Sequence, residues 1–274
     1  MFKTIMPQQT QDTKISTSLI DEYYIDDAAA LTACCAMLSN STWLALDTEF
    51  IRDSTYYPQL CLLQISNGTI AACIDPLALD TIAALEPLLD ILYNPQIVKV
   101  WHAARQDLEI FQHRWNRIPT PLFDTQLAAG ILQYGSQIGY ANLVKQCLDI
   151  DLPKDQTRTD WAARPLGEQQ IRYALDDVVY LGTVYQQLQA VMTTAQHQQL
   201  DKQQTVLLEP ETYAPEPANV WRKIKGRKLL RGAQQRTLQA LAAWRENQAR
   251  RHNLPRKWLM TDQDMVNICR TETP

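Results

Sequence analysis

Apolar and polar positions repeat along this chain with two different periods. Between residues 43 and 74 the apolar runs are short and closely spaced, so that 43–49, 60–65 and 69–74 read as strands, and Ser66-Asn67-Gly68 has the chemistry of a hairpin turn between the last two. Connections this short make the three strands antiparallel neighbours. Ahead of them, residues 26–38 read as a helix, with Asp26 and Asp27 at the end where negative charge suits the dipole. From residue 80 the period becomes helical, with Ile82, Leu85, Leu88, Leu89 and Leu92 on one face and Asn94-Pro95 as the stop. A strand at 97–101, a helix at 103–115 and a short strand at 122–123 follow; beyond them the pattern predicts helices at 125–132 and 141–148 and a long one from 168 to about 192. The glutamine-rich stretch 186–204 keeps helical periodicity. A hairpin-connected set followed by strand–helix–strand argues for an α/β fold, a mixed sheet with helices on its faces.

The pattern changes again near 209–217, where Pro210, Pro215 and Pro217 interrupt any regular element. This stretch is expected to be a linker between a first domain, 21–208, and a small all-α module, 218–274, with helices at 234–251 and 262–270; residues 1–20 are expected to be disordered. Charge divides at the same place. The chain of 274 residues carries 26 Lys+Arg against 30 Asp+Glu, but residues 211–274 hold 13 of the cations and 6 of the acids, a net +7 on the tail of an acidic body. Such clustering suits a polyanion, although a solvated helical face produces the same count. The six cysteines show no metal-binding spacing and read as small buried hydrophobes in a reducing cytosol. With no signal-peptide order at the N-terminus and no apolar run near the roughly 18 residues that span a bilayer, the expectation is a soluble, cytoplasmic protein without a membrane partner.

The candidate chemistry lies in carboxylates. Asp47 and Glu49 sit at i and i+2 of a predicted strand and share a face. Acids that close repel each other, and a divalent cation holds them best. Asp107 points to the packed side of its helix, which starts straight after a strand of the same sheet. Tyr173 and Asp177, at i and i+4, stack on one helical face, where a phenol and a carboxylate can hold a water between them. Each of these has a bland alternative, a boundary acid for Asp107 and a core tyrosine beside a capping acid for the last pair.

In this order the set resembles the three exonuclease motifs of the DEDD superfamily, in the branch with tyrosine in the third motif. The chain is most similar to the ribonuclease D family, also through Tyr56-Tyr-Pro-Gln-Leu-Cys-Leu-Leu-Gln-Ile65, Phe123-Asp-Thr-Gln-Leu-Ala128 and Arg158-Thr-Asp-Trp161 with Arg164-Pro-Leu166. The resemblance implies a ribonuclease H-like mixed sheet and removal of nucleotides from a 3′ end. It also implies two divalent ions, Mg²⁺ or Mn²⁺, held by Asp47, Glu49, Asp107 and Asp177, with Tyr173 orienting the attacking water. The expected partner is RNA with a free 3′ end, such as a transfer RNA precursor. Arg158, Trp161 and Arg164 are expected to contact the phosphate backbone or stack on a base, the alternative being arginines paired with Asp160 or Glu168. Asp124 reads as the N-cap of the helix it precedes, and His102 as structural rather than a base. The tail resembles the start of an HRDC domain and is expected to be an incomplete one, because the chain stops at Pro274 and has no second copy.

Overall fold

The computed structural model describes residues 3–4, 20–79, 81–153 and 159–271. Its first compact unit comprises residues 1–51 and 60–208. At its centre is a seven-stranded sheet in the order β1-β2-β5-β4-β3-β6-β7. The strands are β1 Lys3–Thr4, β2 Asp21–Ile25, β3 Trp43–Ile51, β4 Gln59–Ser66, β5 Ile70–Ile74, β6 Val98–Trp101 and β7 Leu122–Asp124. β4 and β5 pair antiparallel, while β2–β5, β3–β6 and β6–β7 are parallel, so the sheet is mixed as the pattern predicts. At the hairpin between β4 and β5, Gly68 takes a left-handed φ of 86° and the Asn67 carboxamide accepts from the amides of Thr69 and Ile70.

Two strands escape the sequence reading. β2 lies in a stretch with only one clear β signal, Tyr23-Tyr24-Ile25, and it pairs with β5 far along the chain. Most of the expected disordered segment falls outside the described residues, but Lys3 and Thr4 pair antiparallel with Tyr24 and Tyr23, which gives the edge of β2 a hydrogen-bonded neighbour.

The helices are α1 Ala28–Leu38, α2 Ile82–Leu92, α3 Arg105–Trp115, α4 Thr125–Ile131, α5 Tyr140–Leu148, α6 Glu168–Val179, α7 Leu181–Val191 and α8 Thr194–Leu208. Asp27 caps α1 and Thr81 caps α2, each accepting from the amide three residues on. The single helix expected from 168 to 192 is two, meeting at Tyr180. Just past the junction, Gly182 touches the Trp43 indole so closely that a Cβ would lie 2.2 Å from a ring carbon, and only a bare backbone lets α7 approach β3 there. α6 packs on β3 and β5 through Ala174, Leu175 and Val178, which join Ala45, Ala71 and Cys73 of the sheet in one buried core. The site-bearing strand and helix are therefore pressed together by small residues.

The second unit comprises residues 52–59 and 209–274. Residues 52–59 connect β3 to β4 in sequence yet belong to this unit. It contains α9 Ala233–His252, α10 Arg256–Leu259 and α11 Asp262–Thr271, preceded by short 3-10 turns. Leu238 and Ala242 pack with Ile224, Leu230, Met265, Val266 and Cys269 in a core of its own. The Tyr56 hydroxyl donates to Glu246 and accepts from Arg250 and Arg256, and the Asn253 carboxamide accepts from the amides of Tyr56 and Tyr57. Burial pushes the Glu246 carboxyl up, but Arg256 and the Tyr56 hydroxyl hold it below its ordinary value. Part of the tail's positive charge is thus spent internally: Arg250 and Arg256 pair with Glu246, and Arg245 with Asp262. Lys225, Lys228, Arg231, Arg236 and Arg251 remain exposed.

Candidate active site

Alternation along β3 turns Ala45, Asp47 and Glu49 to the face covered by α6, and helical spacing turns Tyr173 and Asp177 of α6 toward them. One carboxylate oxygen each from Asp47, Glu49 and Asp177 lies within 4.8 Å of the others. Asp107 enters from α3. It is buried, and the Thr48 hydroxyl, on the opposite face of β3 from Asp47, donates to its carboxylate. The four sequence-predicted acids thus come together from three elements, with Asp107 to one side of the tight trio.

Burial and crowding raise every one of them. Asp47 is pushed well above its ordinary value by burial first and then by Asp177, Asp107 and Glu49. Glu49 is raised to about 9 by burial and by Asp177 and Asp107. Asp107 and Asp177 each reach about 7, chiefly through burial, with the Thr48 hydroxyl opposing the rise at Asp107. Like charges at this spacing in a poorly solvated cleft take up protons or a cation. The donor set is oxygen only, which suits hard divalent ions rather than zinc.

Asp176, next to Asp177, faces elsewhere: Arg172 pairs with it at 2.9 Å and with Glu22 at 2.7 Å. The cleft, of about 180 Å³, is lined by Asp47, Asp177 and Tyr173 together with His102, Tyr140 and Leu181. Burial, then Asp177, Glu49 and Asp47, raise the Tyr173 phenol above its ordinary value. The Tyr140 hydroxyl donates to the Asp176 carbonyl at 3.0 Å and so supports the turn of α6 that carries Asp177. Nothing in the sequence around Tyr140 marks it for this site. The ring nitrogens of His102 lie 3.0 Å from the Thr125 hydroxyl and 3.0 Å from the Ile138 carbonyl, and burial lowers its pKa. Both nitrogens have partners in the protein, in line with a structural role.

Of the three expected RNA contacts, Arg158 lies outside the described residues. Trp161 is buried, with its ring centroid 6.2 Å from that of Tyr173, so it backs the tyrosine from inside and has no face open to a base. Arg164 is likewise spent within the protein, though on neither expected acid: Nε and Nη2 clasp the buried Asp75 at 2.6 and 2.8 Å, and the remaining donors go to the carbonyls of Cys61, Trp161 and Ala163. Its guanidinium has five donors, and all five are used. Tyr24 completes the cluster by donating to Asp75 at 2.6 Å. Asp75 is the buried partner of Arg164 that the sequence reading missed; its only signal is an acid straight after an apolar strand.

The 3′–5′ exonuclease family matches residues 23–193, and the HRDC domain family matches residues 234–272. The ribonuclease D of Bartonella henselae is 41% identical over 245 residues, which is 89% of this chain and 60% of that protein. The crystal structure of Escherichia coli RNase D, an exoribonuclease involved in structured RNA processing, superposes with a TM-score of 0.79 at 34% identity, covering 90% of this chain and 65% of that one. Brucella melitensis NrnC, solved with bound Mg²⁺, superposes with a TM-score of 0.55 at 25% identity, covering 67% of this chain and 89% of that one. The chain spans less than two thirds of the length of these ribonuclease D relatives.

Proposed function

The chain belongs to the 3′–5′ exonuclease family, in its ribonuclease D branch, and from that membership we propose that it removes nucleotides from the 3′ end of RNA by metal-dependent phosphodiester hydrolysis. The observation that carries the reading is the convergence of Asp47, Glu49 and Asp177 within 4.8 Å, with Tyr173 lining the same cleft and the Asp107 carboxylate near enough to raise all three acids. Asp47, Glu49 and Asp177, with Asp107 beside them, would hold two divalent ions, Mg²⁺ or Mn²⁺. When bound, such ions lower the pKa of an attacking water and stabilise the leaving oxygen.

The rest of the chemistry belongs to the side chains. Tyr173 has a phenol held above its ordinary value, so it stays protonated and orients a water by hydrogen bonding rather than by removing a proton. Trp161 fixes the tyrosine ring from behind, and Arg164, tied to Asp75, fixes the segment that carries Trp161. Tyr140 holds the α6 backbone one residue before Asp177.

For the substrate, the Escherichia coli relative's part in structured RNA processing supports RNAs with a single-stranded 3′ end, such as transfer RNA precursors. The exposed cations of the second unit supply phosphate contacts. None of the six cysteines, all of them among the described residues, is paired in a disulfide, which fits a cytoplasmic protein, and among the described residues no helix is long and apolar enough to cross a membrane. The reading is tested by digesting matched RNA and DNA oligonucleotides: RNA is shortened with Mg²⁺ or Mn²⁺ present, and equal or faster loss of DNA would move the substrate class to DNA.

A further inference from the structure

The helix that carries Asp107 has no cap of its own. The residue at its N-cap position is Ala104, whose side chain can accept nothing, and the residue before it, Ala103, takes a left-handed φ of 59° that an alanine rarely adopts. Both features are served by one side chain from another strand. Asp124, at the end of β7 and opposite Trp101 in the sheet, accepts from the amides of Ala103 at 3.2 Å and Ala104 at 3.0 Å. The same carboxylate caps α4 through the amides of Gln126 at 2.8 Å and Leu127 at 3.2 Å. Four backbone donors therefore meet one buried acid.

Asp124 is itself fixed from behind, its own amide donating to the buried carboxamide of Gln204 on α8 at 2.7 Å. Its neighbour Thr125 holds the other side of the junction through a hydrogen bond to the Trp101 carbonyl at 3.0 Å. An N-cap of α4 alone needs two of these contacts; the two to Ala103 and Ala104 reach back 20 residues or more, to the turn that starts α3. Asp107 lies in the first turn of that helix.

We propose that Asp124 is a positioning residue for the metal site: by capping α3 from β7 and holding Ala103 in its left-handed turn, it sets the depth at which Asp107 enters the acidic cluster. This rests on the reading of Asp107 as part of that cluster. Asparagine at 124 keeps shape and volume but replaces one acceptor oxygen with a donor, so an amide of the α3 turn loses its partner. Glycine at 103 adopts the left-handed turn without strain and needs less holding.

The test uses the full chain and two readouts. Hydrogen exchange of the amides of residues 104–108, measured without metal, reports the turn; Mn²⁺ affinity by calorimetry reports the cluster. Asp124→Asn speeds the exchange and weakens Mn²⁺ binding about 10–100-fold, the usual cost of losing a group that orients a ligand. Adding Ala103→Gly recovers a large part of both losses, which it could not do if Asp124 served only α4. Values within about twofold of wild type in Asp124→Asn, or no recovery in the double variant, would overturn the proposal. Should Asp124→Asn fail to fold, Gln204→Met carries the same test from behind: several-fold changes in both readouts support the proposal and unchanged values overturn it. Mn²⁺ binding by the wild-type chain tests the reading of the acids separately, because the exchange measurement needs no metal.

Discussion

Asp47 shows most plainly what burial, and then crowding by other acids, does to a side chain. In the metal-free protein the cluster binds protons that the unfolded chain has already released, since Asp107 and Asp177 sit at about 7 and Glu49 at about 9 against ordinary carboxylate values near 4. With the folded state binding more protons, stability falls as pH rises from about 4 toward 9. The melting temperature in EDTA is therefore expected to drop across this window. Asp47→Asn removes one of the repelling charges, so it flattens that drop while lowering hydrolysis by at least about 10–100-fold, a floor taken from the loss of mere orienting groups. A variant that melts as the wild type does at every pH, or that keeps near-normal activity, would remove Asp47 from the site. The neighbouring pair Asp176 and Asp177 makes a sharper contrast. Asp177→Asn is expected to abolish hydrolysis, Asp176→Asn to cost at most about tenfold because its carboxylate is occupied by Arg172, and Tyr173→Phe to fall between. Single-turnover rates of the three variants decide it, and the reverse order for the two acids would refute the assignment.

At the scale of elements, the site depends on α7 and β3 lying unusually close. Gly182→Ala places a methyl against the Trp43 indole and, because the obstacle is a packed ring rather than a flexible chain end, it is expected to cost about 1–3 kcal/mol. A thermal melt that leaves the variant as stable as the wild type would show that α7 can shift freely. The five residues of the three motifs stand out in the sequence by their resemblance to the exonuclease motifs; local spacing puts Asp47 with Glu49 and Tyr173 with Asp177 on shared faces, but leaves a boundary acid for Asp107 and a core tyrosine beside a capping acid as open alternatives. Closures across the sheet were not legible. Arg164 reaches Asp75, 89 residues away, and takes itself out of the substrate-contact set; no periodicity announces such a pairing. The break at Tyr180 was hidden for a different reason, since its backbone stays near helical geometry and the apolar repeat runs straight through it. Asp124 was legible as a cap for α4, but its hold on α3 needs the β6–β7 register, which local sequence does not contain.

The whole molecule divides its labour between two units with separate cores. Removing residues 209–274 is expected to weaken RNA binding and to lower the slope of log affinity against log salt by about 0.7 for each phosphate that the tail neutralises. It also strips Tyr56 of Glu246, Arg250 and Arg256, so tryptic cleavage after Arg52 should accelerate in the shortened chain. An unchanged salt slope would show that the second unit does not touch RNA. The central claim, metal-dependent hydrolysis from a 3′ end by the acidic cluster, is tested most directly by incubating 5′-labelled RNA with the wild-type chain and with Asp177→Asn, with Mg²⁺, Mn²⁺ or EDTA, and resolving the products on a denaturing gel. The wild type with metal is expected to give a ladder that shortens one nucleotide at a time, while EDTA or Asp177→Asn leaves the label at full length. Internal cuts, a ladder that persists in EDTA, or an active Asp177→Asn would contradict it.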